Sequence, residues 1–444
     1  MIDKIHTDKQ IAVILFTIVF ITISIVCIVE RNFLISFWYI ILGLPCLFFE
    51  RTSAKLYLTV YNFSVLVSLF FYYILIFNYG VPYYLGGSDD MAYENTSKYV
   101  LLYEKWYNPI SLLKSGYISQ YHNSVGYVIT LAALRKISEC IGEFHSIVPK
   151  ILNSFVLALS TCLLYKILRL FFEKGKALIA SYSYGLYPIL LYFSAHSFRD
   201  VIIAFLFLIV IYRLEVKPLF GKYLFISLLF LIVCSYIMMF YRSAFVPILI
   251  LLFLVRMYLI RYKKEINFSL IMPLLIFSFF FFLYAKDWII SLSELGSNYS
   301  EYRLGLSQGI SRLIFTIPIF PFGFILRYLY MIFPFLIPSD ATLKFLFLGQ
   351  IFQYFLIPFL LLGSWQIGKK HSSFRFYILF IHVFILIIAL TTFTNRQLTV
   401  IYPFFIATSI IYMLSISRKR RIRIIGFEIM LFLFVFTAYL FLKI

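Results

Sequence analysis

Acidic residues are scarce in this chain. Nineteen Asp and Glu stand among 444 residues, against 39 Lys and Arg, and charged residues of both signs make up 13 %. A soluble domain carries about 25 % charged residues, so a water-facing surface would lack the charges to cover it. Cysteine is equally sparse. Cys27, Cys46, Cys140, Cys162 and Cys234 show neither CxxC nor metal-ligand spacing, and four of them fall inside apolar runs, where a thiol acts as a small hydrophobe. That pattern predicts neither a disulfide framework nor a cysteine metal site. No Walker loop, no dinucleotide fingerprint after a strand and no cytoplasmic segment long enough for a nucleotide-sugar domain is present. Low-complexity tracts and convincing internal repeats are lacking too.

What abounds is apolar surface. Hydrophobic residues are 63 % of the chain, with 53 Phe and 36 Tyr, and the mean hydropathy is +0.95. Soluble proteins average about 45–50 % apolar residues. The fold class this predicts is all-α: a polytopic transmembrane helix bundle whose first partner is the lipid bilayer. A formal charge of +20 would suit nucleic acid, but Lys and Arg punctuate the apolar runs instead of forming one patch. That is the orientation code of a membrane protein, in which basic residues collect in cytoplasmic loops, and it argues against a nucleic-acid partner.

A spanning helix needs about 20 mostly apolar residues. Spans are expected near 11–29, 33–49, 56–77, 147–171, 177–195, 201–215, 223–241, 244–260, 268–285, 343–363, 374–393, 397–415 and 424–442. Run 11–29 is too long, and lacks a small-residue cleavage site, for a removable signal peptide. Two stretches are ambiguous: 125–141, broken by Arg135, Lys136 and Glu139, and 313–338, interrupted by Pro318, Pro321, Pro334 and Pro338. Parity decides them. With Lys4 and Lys9 inside and neither stretch crossing, the basic clusters at 51–55, 174–176, 213–222, 261–264, 369–375 and 418–423 all face the cytoplasm. The reading is about thirteen spans with an extracytoplasmic C-terminus. Its parts are three N-terminal spans (1–77), a first outside loop (78–146) with 125–141 as an amphipathic surface helix, a six-span central bundle (147–285), a second outside loop (286–342) and four C-terminal spans (343–444). Non-helical backbone at membrane depth survives only inside protein or against a wet cavity, so 313–338 is expected to dip in and return as a cavity wall.

Every acid falls in a loop or at a span end, which disfavours an ion-coupled transporter. The outside face is where polar chemistry gathers. The first loop opens with Gly86-Gly87-Ser88-Asp89-Asp90-Met91-Ala92-Tyr93-Glu94. The glycines allow a tight turn, Ser88 can cap a helix, and Asp90 and Glu94 share one face at i,i+4. Such carboxylates can act as a general base or bind a divalent ion, with Asp89 and Asp90 the candidate ligands. Equally, they can do no more than complement the helix dipole. The turn after the fifth span reads His196-Ser197-Phe198-Arg199-Asp200. Arg199 offers a fork suited to phosphate, Asp200 could hold that fork, and His196 could shuttle a proton. The plain alternative is a helix cap with a local ion pair. Arg242 and Arg396 occupy two further outside turns, against the charge bias. Either grips phosphate or snorkels to lipid headgroups. The second loop adds Glu294, Glu301, Arg303, Arg312 and Arg327, of which Arg312 and Arg327 flank the proline-broken stretch. His122 and the tyrosines Tyr83, Tyr84, Tyr93, Tyr117 and Tyr121 could stack on sugar rings, or form an interfacial belt.

At these loops the chain resembles the polytopic glycosyltransferases of the GT-C type, and among them the repeat-unit polymerases of bacterial O-antigen and capsule synthesis (Wzy-like). The resemblance is architectural over the whole length. Its specific motifs are few: Asp89-Asp90 is similar to the acidic pair of the first outside loop, and Arg312 to Gly323 matches an Arg-x10-Gly spacing. In many GT-C enzymes that loop follows the first span, whereas here it follows the third.

The resemblance implies an enzyme of the bacterial cytoplasmic membrane with its active site facing the exterior. It would join undecaprenyl-pyrophosphate oligosaccharides, with no certain cofactor, a divalent metal as an option and a chain-length regulator as an expected partner. Arg199, Arg242, Arg312 and Arg396 would stabilise the departing pyrophosphate, while Asp89, Asp90 or His196 takes the hydroxyl proton. Two other readings stay open: a GT-C enzyme adding one sugar from a polyprenyl-phosphate donor, and a lipid-linked oligosaccharide flippase. A scaffold has no reason to gather Arg and carboxylates on one face.

Overall fold

The computed structural model describes residues 2–84, 89–118, 124–216, 222–261, 305, 312, 314, 316–317, 323–333, 344–390 and 395–443. All regular structure among them is helical. The elements of the first part of the chain are α1 (Ile2–Val29), α2 (Leu34–Gly43), α3 (Arg51–Tyr79), α4 (Asp89–Val100), α5 (Pro109–Ser115), α6 (Val125–Glu139), α7 (Val148–Leu168), α8 (Lys174–Gly185), α9 (Pro188–Ser194), α10 (Asp200–Val216), α11 (Lys222–Arg242) and α12 (Val246–Arg261). There follow α13 (Phe324–Ile332), α14 (Lys344–Lys370), α15 (Arg375–Leu390), α16 (Tyr402–Ser415) and α17 (Arg418–Lys443).

Five helical stretches are long and apolar enough to cross a membrane: Arg51–Tyr79, Val148–Leu168, Leu224–Ile260, Lys344–Lys370 and Ser372–Ala389. Ile14–Val29, Leu34–Phe48 and Tyr402–Ser415 are shorter apolar helices. Large apolar side chains such as Ile28, Phe70, Phe77, Phe225 and Ile232 lie exposed on them, which is compatible with a multi-pass membrane protein whose outer surface meets acyl chains. All five cysteines are free thiols.

Several expected spans differ in detail: 33–49 and 397–415 each overlap a 3-10 segment, Leu44–Phe48 and Asn395–Val400. Stretch 177–195 is broken in two, because Pro188 forces Tyr187 into extended backbone and then opens α9 at its first position. The expected turn at Arg242 is one extended residue followed by a single 3-10 turn, Ser243–Phe245, within the apolar run Leu224–Ile260. Expected span 268–285 lies outside the described residues, as does most of 286–342.

The chain divides into two compact units, Met1–Met257 with Ile337–Gly349, and Tyr258–Leu336 with Gln350–Ile444. In the first, α3 and α7 pack at the centre with α10 against α7. Small hydroxylated residues join α3 to α7 and α9. The Ser64 hydroxyl donates to Ser154 Oγ at 2.9 Å and lies 2.8 Å from Ser194 Oγ. A Cβ at Gly185 would sit 2.6 Å from Thr161 and Val60. Lipid tails are as apolar as leucine, so close packing and interhelical hydrogen bonds hold such helices together. In the second unit, α13 packs on α15, and α15 on α16, with Tyr377 and Phe404 stacked at 4.4 Å. Gln353 Nε2 donates to the carbonyls of Met331 and Ile332 at 3.0 and 2.9 Å, satisfying the C-terminal end of α13.

Candidate functional site

Loops and the ends of four helices of the first unit, α4, α7, α10 and α11, converge at one place. Asp89 and Asp90 sit in the first turn of α4, where carboxylates face the positive end of the helix dipole. Asp90 Oδ1 accepts from the Met91 amide at 3.0 Å. One turn on, Glu94 lies on the same face, as the i,i+4 spacing predicts. Both side chains are buried, with Asp90 at 1 % and Glu94 at 3 % exposure. Ser88, the expected cap, lies outside the described residues.

Glu94 is held from two sides. The Tyr83 hydroxyl donates to Oε2 at 2.8 Å and the Ser197 hydroxyl donates to Oε1 at 3.0 Å. The second of these ties the acidic helix to the His196–Asp200 turn. The same turn is gripped from α7, where Asn153 Nδ2 donates to the carbonyls of His196 and Phe198 at 2.7 and 2.9 Å. One helical turn before Asn153 stands Lys150, at 0 % exposure, with its ammonium donating to the Pro82 carbonyl at 3.4 Å. A lysine in a helix's first turn opposes the dipole, so it needs anions close by. Asp90 and Glu94 supply them. Burial raises the pKa of each carboxyl above its ordinary value, and the Lys150 charge opposes that rise. Burial likewise raises the Tyr83 phenol, with Glu94 adding to it. Buried carboxyls pushed towards neutral pH are suited to general base work.

The far side of the turn is cationic. Arg199 is 4 % exposed and Asp200 1 %. The Asp200 carboxylate lies 3.5 Å from the Arg242 guanidinium, which in turn covers the Phe245 ring at 5.3 Å. The acid beside Arg199 in sequence thus meets the arginine at the end of α11. His196 is fully buried, with Nδ1 2.8 Å from the Tyr192 carbonyl, so that nitrogen carries a proton. Its ring lies 5.2 Å from Phe198, 4.4 Å from Tyr192 and 5.6 Å from Phe71, and its contacts brace the turn. The helix at 125–141 also joins the site. Tyr127 is fully buried and meets the Tyr93 ring of α4 edge-on at 5.3 Å, Thr130 meets Tyr241 at 2.5 Å, and Arg135 lies 4.1 Å over Phe144.

In the second unit Arg327 is buried on α13, Arg396 is half-buried in the 3-10 turn Asn395–Val400, and Arg312 is exposed. Arg303 and His122 lie outside the described residues. As for a metal, a divalent ion calls for about six oxygen donors. Among the described residues no three His, Cys, Asp or Glu side chains gather, and Lys150 already supplies the positive charge beside Asp90 and Glu94. The donor set fits an ammonium better than a divalent ion.

Sequence reasoning missed Lys150 and Asn153. The available signal was a lysine and an asparagine one turn apart inside an apolar run, Val148-Pro149-Lys150-Ile151-Leu152-Asn153. No family model matches the chain, and neither a curated protein nor a solved structure matches it. The functional reading therefore rests on these side chains.

Proposed function

We propose that the chain polymerises polyprenyl-pyrophosphate-linked oligosaccharide repeat units into a bacterial surface polysaccharide, at the outer face of the cytoplasmic membrane. Under this reading it is a GT-C-like bundle of about thirteen spans, with α4, α6 and the His196–Asp200 turn on the extracytoplasmic side. The observation that carries it is the pair of buried carboxylates, Asp90 and Glu94, set beside Lys150 and joined through Ser197 to a turn bearing Arg199. A transferase that works without a nucleotide donor needs those two things together: a base for the acceptor hydroxyl and positive charge for the departing diphosphate.

The step runs as a substitution. The acceptor hydroxyl oxygen attacks the anomeric carbon of the growing chain, the bond from that carbon to the diphosphate oxygen breaks, and the diphosphate leaves with the electron pair. The hydroxyl proton passes to the Tyr83 oxygen while Tyr83 hands its own to Glu94, 2.8 Å away. Tyr83 is only half-buried, so it links the buried carboxylate to the surroundings. Lys150, Arg199 and Arg242 provide the positive field.

Gel separation of surface polysaccharide from cells lacking the chain tests the reading. A ladder that collapses to one repeat unit is the expected result. A missing sugar within each repeat would show a single-sugar transferase instead, and lipid-linked intermediate trapped on the inner face would show a flippase.

A further inference from the structure

The connection that delivers α7 to this site is fastened by a histidine. His145 Nδ1 accepts the Ile147 amide proton at 3.3 Å, so that nitrogen is unprotonated and Nε2 carries the hydrogen. Nε2 lies 3.4 Å from Glu30 Oε2 at the end of α1 and 3.4 Å from the Tyr72 hydroxyl on α3. Glu30 is fixed in turn by Tyr73, whose hydroxyl donates to Oε1 at 3.1 Å. Ile147 immediately precedes α7, and Lys150 stands three residues further on. The charged and titratable groups around the imidazole are therefore Glu30 from α1, Tyr72 and Tyr73 from α3, Glu143 from its own connection and Lys150 from α7. An imidazolium carries a hydrogen on both nitrogens. It would present a donor to the Ile147 amide, itself a donor, and the fastening fails.

We propose that His145 is a pH-sensitive positioning residue: neutral, it pins the start of α7 and so the placement of Lys150 and Asn153; protonated, it releases that turn. The latch stands on its own geometry, and only its consequence for turnover rests on the polymerase reading. Burial, the largest influence, lowers the imidazole below its ordinary value, with Glu30 pulling the other way. The neutral state is thus the folded one. Its stabilising contribution is complete above the ordinary histidine range and is lost as pH falls through the lowered value.

Amide hydrogen exchange of the whole protein in lipid nanodiscs, expressed as protection relative to intrinsic rates, reads the latch at Ile147 and Val148. The expected result is a loss of protection of about tenfold or more between about pH 8 and pH 5. In His145→Asn, whose side-chain oxygen can still accept the Ile147 amide proton, protection should not vary with pH. In Glu30→Gln the midpoint should move to lower pH, because the imidazolium loses its counter-charge. Constant protection in the wild type, an unchanged pH response in His145→Asn, or an unmoved midpoint in Glu30→Gln would each overturn the proposal. None of these readouts needs polysaccharide, so failure of the catalytic reading shows separately, as normal exchange behaviour with no product.

Discussion

Glu94 shows what the molecule asks of single residues. Burial raises the pKa of both Glu94 and Asp90, so the folded state holds these protons to higher pH than the unfolded chain does. Their contribution to stability is complete below the ordinary carboxyl range, about pH 4, and is lost as pH rises through the raised values. Glu94→Gln removes that loss and still offers Tyr83 an acceptor. Its unfolding temperature should therefore match the wild type near pH 5 and equal or exceed it near pH 8, measured in detergent. Lys150→Met should do the opposite. Two buried carboxylates then lack their cation, and the melting point should fall at pH 8 with the deficit narrowing at pH 5. A Lys150→Met deficit that does not depend on pH would mean that the ammonium does not act on these acids.

At the scale of helices, two contacts decide how ends meet. Arg256 on α12 clamps Glu215 on α10 in a two-point pair, with Nε to Oε1 at 2.5 Å and Nη2 to Oε2 at 3.0 Å, both side chains buried. Glu215→Ala leaves a buried guanidinium without its carboxylate and should cost about 3–5 kcal/mol. Replacing both residues by Leu should recover most of it, since apolar pairs of similar volume serve as well. Chemical denaturation in mixed micelles compares the two, and equal loss in both would contradict the account. The second contact is Gly126 on α6, where an added Cβ would lie 2.7 Å from the Tyr241 ring and 3.2 Å from the Phe240 backbone. Gly126→Ala should cost about 1–3 kcal/mol through overpacking. It should also displace the end of α11 from the start of α10, which slower cross-linking between cysteines placed at positions 200 and 242 would report. The helices themselves were largely legible, because a helix boundary is set by local signals: Pro149 and Pro188 at helix starts, Gly80 and Gly116 in left-handed backbone at helix ends. Which residues meet across helices was not legible. Nothing in the local sequence points from Asp200 to Arg242, 42 positions on, yet interhelical packing brings those ends together.

For the whole molecule, composition carried the furthest, since 63 % apolar residues leave little alternative to an assembly of lipid-facing helices. The acidic pair at the opening of α4 was visible from its i,i+4 spacing, and its company was not. Lys150 and Asn153 read as parts of an apolar run because their significance comes from α4 and the His196–Asp200 turn closing over them. The account stands on that closure being catalytic and not merely a buried brace. The most direct test is the product made by purified Glu94→Gln protein, shown to be folded by its unfolding temperature, in liposomes supplied with a polyprenyl-pyrophosphate-linked repeat unit. The account predicts a long-chain ladder from the wild type and only the single unit from the variant. A full ladder from folded Glu94→Gln would contradict it.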